Sequence, residues 1–275
     1  MDTAPLIKGQ ETILTDKQKK QWRENGYLVL KGILSSEEVE NLTAVVDQMY
    51  EEHLQQPDVK PDAGLDRRNV MEDHDIFVDL MDHPATFPIV LELMSPYIHL
   101  SMSEVIVRPT DPEGKGLLHT DGGQAMRQIR VSESSLPFQI KFQYFLTDLP
   151  EPDMGNFTVV PGSHNRLFPE GGFEEGPYIS EALPLCVEAG DVAVFPHAMW
   201  HGFVANRSDK PRKTLIYCYV HQCMRAFDFE KASPELLERC TPRQRRLIGD
   251  IGEWKAGSYF YSPPDQVEVM LGSDS

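Results

Sequence analysis

The sequence predicts an α+β fold, with helices at both ends and a β-sandwich or barrel between them. Three observations carry this. From Ile98 to about residue 222 the chain is a succession of short β-rich runs punctuated by Gly, Pro and Asn, which is the pattern of antiparallel sandwiches and barrels. The segment before it holds two helix-capping boxes. Pro234 to Leu247 is charged and amphipathic and reads as one C-terminal helix.

The elements follow in order. Thr15 is a helix N-cap with Gln18 as its reciprocal partner, and Asn25-Gly26 ends that helix. Tyr27 to Leu30 is β-rich. Ser35 and Glu38 form the second capping box; Val39, Leu42, Val46 and Met49 then recur at intervals of three and four, burying one face of a helix that runs to about His53. Gln55 to Arg68 is polar, holds two prolines and a glycine, and reads as a loop. Val78 to Met94 is helical but interrupted by Pro84 and Pro88, giving two short helices or one that starts near Pro88. Ile98 to Arg108 is a strand, and Pro109 to Gly116 a turn-rich loop. Phe138 to Leu146 alternates with period two. Phe157 to Val160 follows the turn Asp153-Met154-Gly155-Asn156, Val192 to Phe195 follows Ala189-Gly190-Asp191, and Lys213 to Val220 is another strong run. With no repeat or linker, residues 1–275 are expected to form a single domain: a helical part over about 14–95, a β core over about 97–222, and a C-terminal helix and tail over 223–275, loose beyond Pro263.

Composition narrows the function classes. The 275 residues are 40% hydrophobic and 25% charged, ordinary for a globular protein with a real core. A net charge of −17 argues against nucleic acid and against an anionic membrane as partners. No run reaches the roughly 20 apolar residues of a membrane span, and the N-terminus shows no signal-peptide pattern. The four cysteines, Cys186, Cys218, Cys223 and Cys240, include no C-x-x-C pair, so a zinc site is not expected and a reducing cytoplasmic location is.

The chemistry gathers at His119-Thr120-Asp121. An imidazole and a carboxylate two residues apart project from one side of an extended strand. A distant histidine added to them makes two His and one carboxylate, the set that covers one face of a non-haem Fe(II) and leaves the other open. The distant histidine is sought in Phe195-Pro196-His197-Ala198-Met199-Trp200-His201-Gly202, where His197 and His201 compete. An antiparallel fold can bring this strand end back beside His119. Arg212 is expected to face His201 from the next strand, across the 206–211 hairpin. An arginine beside an open metal suits a bidentate carboxylate contact, and a dicarboxylate chelating iron at one end and pairing with arginine at the other describes 2-oxoglutarate.

Taken together and in order, these landmarks resemble the phytanoyl-CoA dioxygenase family of Fe(II)/2-oxoglutarate oxygenases. The similarity runs from Leu14-Thr15 and Asn25-Gly26-Tyr27 through His119-Thr120-Asp121, Pro161-Gly162-Ser163-His164 and Ala189-Gly190-Asp191. It continues to Trp200-His201-Gly202, Asn206-Arg207-Ser208 and Arg212. It implies a double-stranded β-helix (a cupin-like jelly roll) flanked by helices. It implies His119, Asp121 and His201 as iron ligands, Arg212 as partner of the distal carboxylate of 2-oxoglutarate, Thr214 as its helper, and Tyr144 as an aromatic near the co-substrate. The cofactors implied are Fe(II), 2-oxoglutarate and O2, and the products a hydroxylated small molecule, succinate and CO2. Desaturation, cyclisation or epimerisation of a secondary metabolite remains open with the same cofactors, and a non-catalytic jelly-roll binding protein is the rival from another class. Phe203 stands where relatives carry a small hydroxyl residue. Asp121 disfavours halogenation, for which relatives have Gly or Ala.

Plainer readings stand beside these. His197 is expected to be exposed or behind the ligands, and His164 to hydrogen-bond an adjoining loop. Lys141, Gln143 and Gln139 share one strand face, which lines a pocket or meets solvent. Gln124, Arg127 and Arg130 belong to a substrate loop or to solvated surface, and Trp200 is a substrate-contact candidate. Arg243, Arg245 and Arg246 read as a solvated helix face. The partner is expected to be a small molecule, and the protein a monomer or homodimer.

Overall fold

A computed structural model of the chain describes residues 12–114, 116–129, 136–252, 257 and 262–272. Helix α1 (Asp16–Asn25) begins where Thr15 Oγ1 accepts from Gln18 N and Gln18 Oε1 accepts from Thr15 N. It ends at Gly26, whose φ of 77° is the left-handed cap. Strand β1 (Leu28–Leu30) leads to α2 (Ser36–Leu54), started by the Ser35–Glu38 box. Then follow β2 (Leu65–Arg68), α3 (Asp75–Val78), α4 (Phe87–Leu93, Pro88 in its first turn), β3 (Ile98–Arg108), α5 (Gly123–Arg127), β4 (Gln139–Phe145), β5 (Phe157–Val159), β6 (Leu183–Pro184), β7 (Val192–Pro196), β8 (His201–Phe203) and β9 (Arg212–His221). Helices α6 (Pro234–Arg239), α7 (Pro242–Leu247) and α8 (Gln266–Leu271) follow the last strand.

The strands form two antiparallel sheets, the jelly roll expected of the sequence. The large sheet has the order β1-β7-β4-β9-β3-β2 and the small one β6-β5-β8. Period two divides the large sheet into two unlike faces. Ile140, Phe142 and Tyr144 of β4 and Leu215, Tyr217 and Tyr219 of β9 turn outward, into one apolar cluster with Leu42 and Val46 of α2 and Ile89 and Val90 of α4. Each such buried aromatic contributes about 1.5–3 kcal/mol. The inner face turns towards the small sheet, where Phe145 and Phe195 pack on Phe157 and Val159.

Four expectations need correction. Residues 65–68, read as loop, form β2 and pair with β3 from Leu65↔Val107 to Arg68↔Glu104; their charges hid a strand whose apolar side is Leu65 alone. The single C-terminal helix is two. Cys240 is extended, and Thr241 opens a new capping box with Gln244 in front of Pro242, whose missing N–H suits a first turn. The tail expected to be loose contains α8, with Met270 fully buried and Gln266 Nε2 donating to Pro96 O at 2.8 Å. Nor are the helix arginines solvated freely. Arg243 meets Asp82, Arg246 meets Asp265, and Arg245 Nε donates to Leu237 O. No helix among the described residues is long and apolar enough to cross a membrane.

Candidate metal centre

His119 and His201 form an isolated antiparallel bridge: each backbone N–H donates to the other's carbonyl at 2.9 Å. This β-pairing sets the two imidazoles side by side, their centroids 4.2 Å apart. His119 Nδ1 lies 3.0 Å from Leu117 O, and His201 Nδ1 2.9 Å from Met199 O. With Nδ1 committed to a carbonyl, Nε2 is the nitrogen left for a ligand, and the ring orientation is set. Asp121 is held by its own N–H on His197 O at 3.0 Å. One ligand atom from each of His119, Asp121 and His201 lies within 4.8 Å of the others.

Lys141 Nζ sits 2.7 Å from Asp121 Oδ1. Burial works against ionising Asp121, yet Lys141, then His201 and His119, outweigh it and hold the carboxyl down at about 2. Burial lowers His201, the neighbouring His119 lowers it further, and Asp121 restores only part, leaving it at about 3. The set is thus a carboxylate with a neutral imidazole at His201, in the protonation states a divalent metal requires. Asp121 Oδ2 is buried with no hydrogen-bond partner. A buried carboxylate oxygen left bare is costly, and a metal held by the Asp121 carboxylate and the two Nε2 atoms would relieve that cost. The residues present therefore fit an Fe(II) ion.

Across the sandwich lies an anion-seeking group. Arg212 opens β9, 3% exposed, with Nε lacking any partner. Burial lowers its guanidinium, Arg108 lowers it further and Asp66 partly opposes, to about 9. Thr214 Oγ1, on the same strand face, is likewise buried without a partner. These orphaned donors fit a carboxylate. Arg212 does not face His201 from a neighbouring strand, because residues 206–211 carry the chain from the small sheet to the large one. Asn206 fastens that crossing by donating to Arg108 O, Pro109 O and Lys210 O.

The other candidates separate cleanly. Lys141, Gln139 and Gln143 do line the interior, buried or nearly so, and Gln143 Oε1 has no partner. Tyr144 does not join them. One residue on from Gln143, it points to the opposite face of the sheet, where its hydroxyl lies 2.8 Å from Thr86 Oγ1 in the helix-packed core. Trp200, adjacent to His201, likewise turns away from the ligands, into a cluster with Leu118 and Val160 and under Arg166 at 4.2 Å. Gln124 is exposed on α5, Arg127 stacks over Phe168 at 4.6 Å, and Arg130 lies outside the described residues. His197 is buried rather than exposed, with Nε2 2.8 Å from Ile129 O, and it is not among the three clustered ligands. His164 Nε2 lies 3.2 Å from Arg23 O, and its ring fills the space a Cβ at Gly26 would need. Sequence reasoning singled out neither the Lys141–Asp121 contact nor Arg108. Both depend on strand register, which no single motif reports.

The family model for phytanoyl-CoA dioxygenase (PhyH) matches residues 22–214. Dioxygenase FUM3 of Gibberella moniliformis is 23% identical, over 93% of this chain and 89% of its own. Dioxygenase cdmA of Talaromyces verruculosus is also 23% identical, over 86% of each chain. Among solved structures, HygX from Streptomyces hygroscopicus with nickel and 2-oxoglutarate bound superposes with a TM-score of 0.67 at 19% identity, covering 82% of this chain and 94% of that one. The epimerase SnoN from nogalamycin biosynthesis gives 0.60 at 21% identity, over 75% and 83%. The chain belongs to the phytanoyl-CoA dioxygenase family of Fe(II)- and 2-oxoglutarate-dependent oxygenases.

Proposed function

We propose that this protein hydroxylates a small molecule, using Fe(II) held by His119, Asp121 and His201 and 2-oxoglutarate held at its distal carboxylate by Arg212 and Thr214. The observation that carries the reading is the pairing of a bare, buried Asp121 Oδ2 with two imidazoles whose Nδ1 atoms are already spoken for. When bound, the metal and co-substrate supply the oxidation of an unactivated C–H bond by O2, with succinate and CO2 as co-products. The chain's own part is to orient and to exclude water. Lys141 keeps Asp121 ionised by pairing with Oδ1, the carboxylate oxygen that also lies 3.8 Å from His201 Nε2. Gln143, on the same interior face, offers an unfilled acceptor for a donor group of the substrate. We place the enzyme in the cytoplasm, in keeping with its four free cysteines, as a monomer or homodimer acting on a metabolite rather than a macromolecule. A second outcome with the same cofactors, epimerisation or ring closure, is favoured by one observation. The epimerase SnoN and the carbocyclase SnoK, both from nogalamycin biosynthesis, share this fold.

The test is succinate release with Fe(II), 2-oxoglutarate and O2 over a panel of metabolites, with Fe(II) binding measured in parallel. Asp121→Ala should lower both by about a hundredfold or more, beyond the usual effect of losing a group behind the ligands. A wild-type protein that binds no Fe(II) and releases no succinate would sink the reading.

A further inference from the structure

The residue opposite Arg212 is another arginine. Arg108, the last residue of β3, is its register partner on the same inner face. Both Nη atoms of Arg108 are taken by Asp66, at 3.0 and 2.9 Å, while its Nε is buried with no partner. Among the described residues no carboxylate pairs with Arg212; Asp66, whose side chain is 50% exposed, is the acid that pairs with Arg108. Two cations against one half-exposed acid leave the buried Arg212 charge only partly compensated, which favours an anion beside it.

The ring of Phe203 lies between the two. It is 5.2 Å from the Arg108 guanidinium carbon and 5.8 Å from that of Arg212, within cation–π range of each. It is packed in place: a Cβ at Gly116 would come within 2.5 Å of the ring, so that glycine is what admits it. Phe203 has no hydroxyl to offer a carboxylate; the buried donors without a partner on β3 and β9 at this end of the face are Arg212 Nε, Arg108 Nε and Thr214 Oγ1.

We propose that in this chain the distal carboxylate of 2-oxoglutarate is gripped by an arginine pair, Arg212 and Arg108, with the Phe203 ring as the wedge that aims both guanidiniums. This rests on the co-substrate reading above. Asp66 tethers Arg108 from the solvent side and leaves Nε facing inward. The carboxylate then completes the charge balance, one acid to each arginine. The wedge also replaces a side-chain hydroxyl as a means of closing the pocket, making it drier and more reliant on charge.

The experiment is calorimetry on full-length protein loaded with redox-inert Ni(II), titrated with 2-oxoglutarate and with 2-oxopentanoate, which has the same chelating end but no distal carboxylate. Arg108→Met should weaken 2-oxoglutarate about tenfold, as expected for one charge-assisted hydrogen bond, and leave 2-oxopentanoate unchanged. Phe203→Leu, which removes the ring that aims both guanidiniums, should likewise weaken 2-oxoglutarate and spare 2-oxopentanoate. Two results overturn the pair while leaving the co-substrate reading intact: Arg108→Met binding 2-oxoglutarate as wild type does, or weakening both ligands in equal proportion. A third, in which Arg212→Met has no effect on 2-oxoglutarate, overturns the co-substrate reading and the pair together.

Discussion

The two faces of the large sheet are made by the same strands and obey opposite rules. On the outer face every tyrosine hydroxyl is matched: Tyr144 with Thr86 Oγ1, Tyr217 with Phe77 O at 2.6 Å, Tyr219 with Met81 O at 2.9 Å. On the inner face Gln143 Oε1, Thr214 Oγ1, Arg108 Nε and Arg212 Nε are buried and unmatched, as is Asp121 Oδ2 opposite them. Buried polar groups are normally satisfied, and each exception asks for a reason. Unmatched atoms occur elsewhere too, at Thr43 Oγ1 and Arg243 Nε among the helices, but within the large sheet the contrast between its two faces separates the surface that holds the molecule together from the surface prepared for something to arrive.

That contrast can be broken from either side. The largest effect should come from Phe142→Ala on the outer face, where a fully buried ring is lost. It should cost about 3–5 kcal/mol in denaturant unfolding, with turnover per folded molecule unchanged. Next comes Tyr144→Phe, which leaves Thr86 Oγ1 only its 3.4 Å bond to His83 O. It should cost about 1 kcal/mol and leave the affinity for 2-oxoglutarate untouched; a clear loss of affinity would return Tyr144 to the co-substrate site. The smallest effect on stability belongs to Thr214→Val on the inner face. Removing an unmatched hydroxyl for an isosteric methyl should be neutral or stabilising, by no more than about 1 kcal/mol, while 2-oxoglutarate binding weakens. A stability loss as large as that of Tyr144→Phe would show that the inner face is already satisfied and the contrast false.

How much of this could be read from residues alone varied with the range of the interaction. Capping boxes at Thr15 and Ser35 act over three residues and were legible. So was the strand from Ile98 to Arg108, whose length and alternation need no partner. The break at Thr241-Pro242 carried the same capping signal in Gln244, but the amphipathic pattern continued across it and masked it. In the site, the triplet His119-Thr120-Asp121 announced itself by spacing, and Lys141 and Gln143 were grouped by period two. That same period places Tyr144 on the opposite face from them, so naming all three for one chamber conflicted with the alternation itself. What no local pattern supplies is parity and register: which side of β4 looks inward, and that Arg108 lands opposite Arg212.

The strand order has one more consequence, for how the chain comes to be folded at all. In β1-β7-β4-β9-β3-β2 only β2 and β3 are neighbours both in space and along the chain, and β1 must wait for β7, with Leu28 meeting Val194. Pairings of such long separation pay their loop entropy before any reward, and they fold slowly. The central strand β9 is the last to be synthesised, ending at His221. Until it leaves the ribosome, β3 and β4 have no common neighbour, and the apolar faces of both are uncovered. Closure of this sheet therefore waits on its last strand, and the uncovered apolar faces of the earlier strands are where misassembly during folding should concentrate.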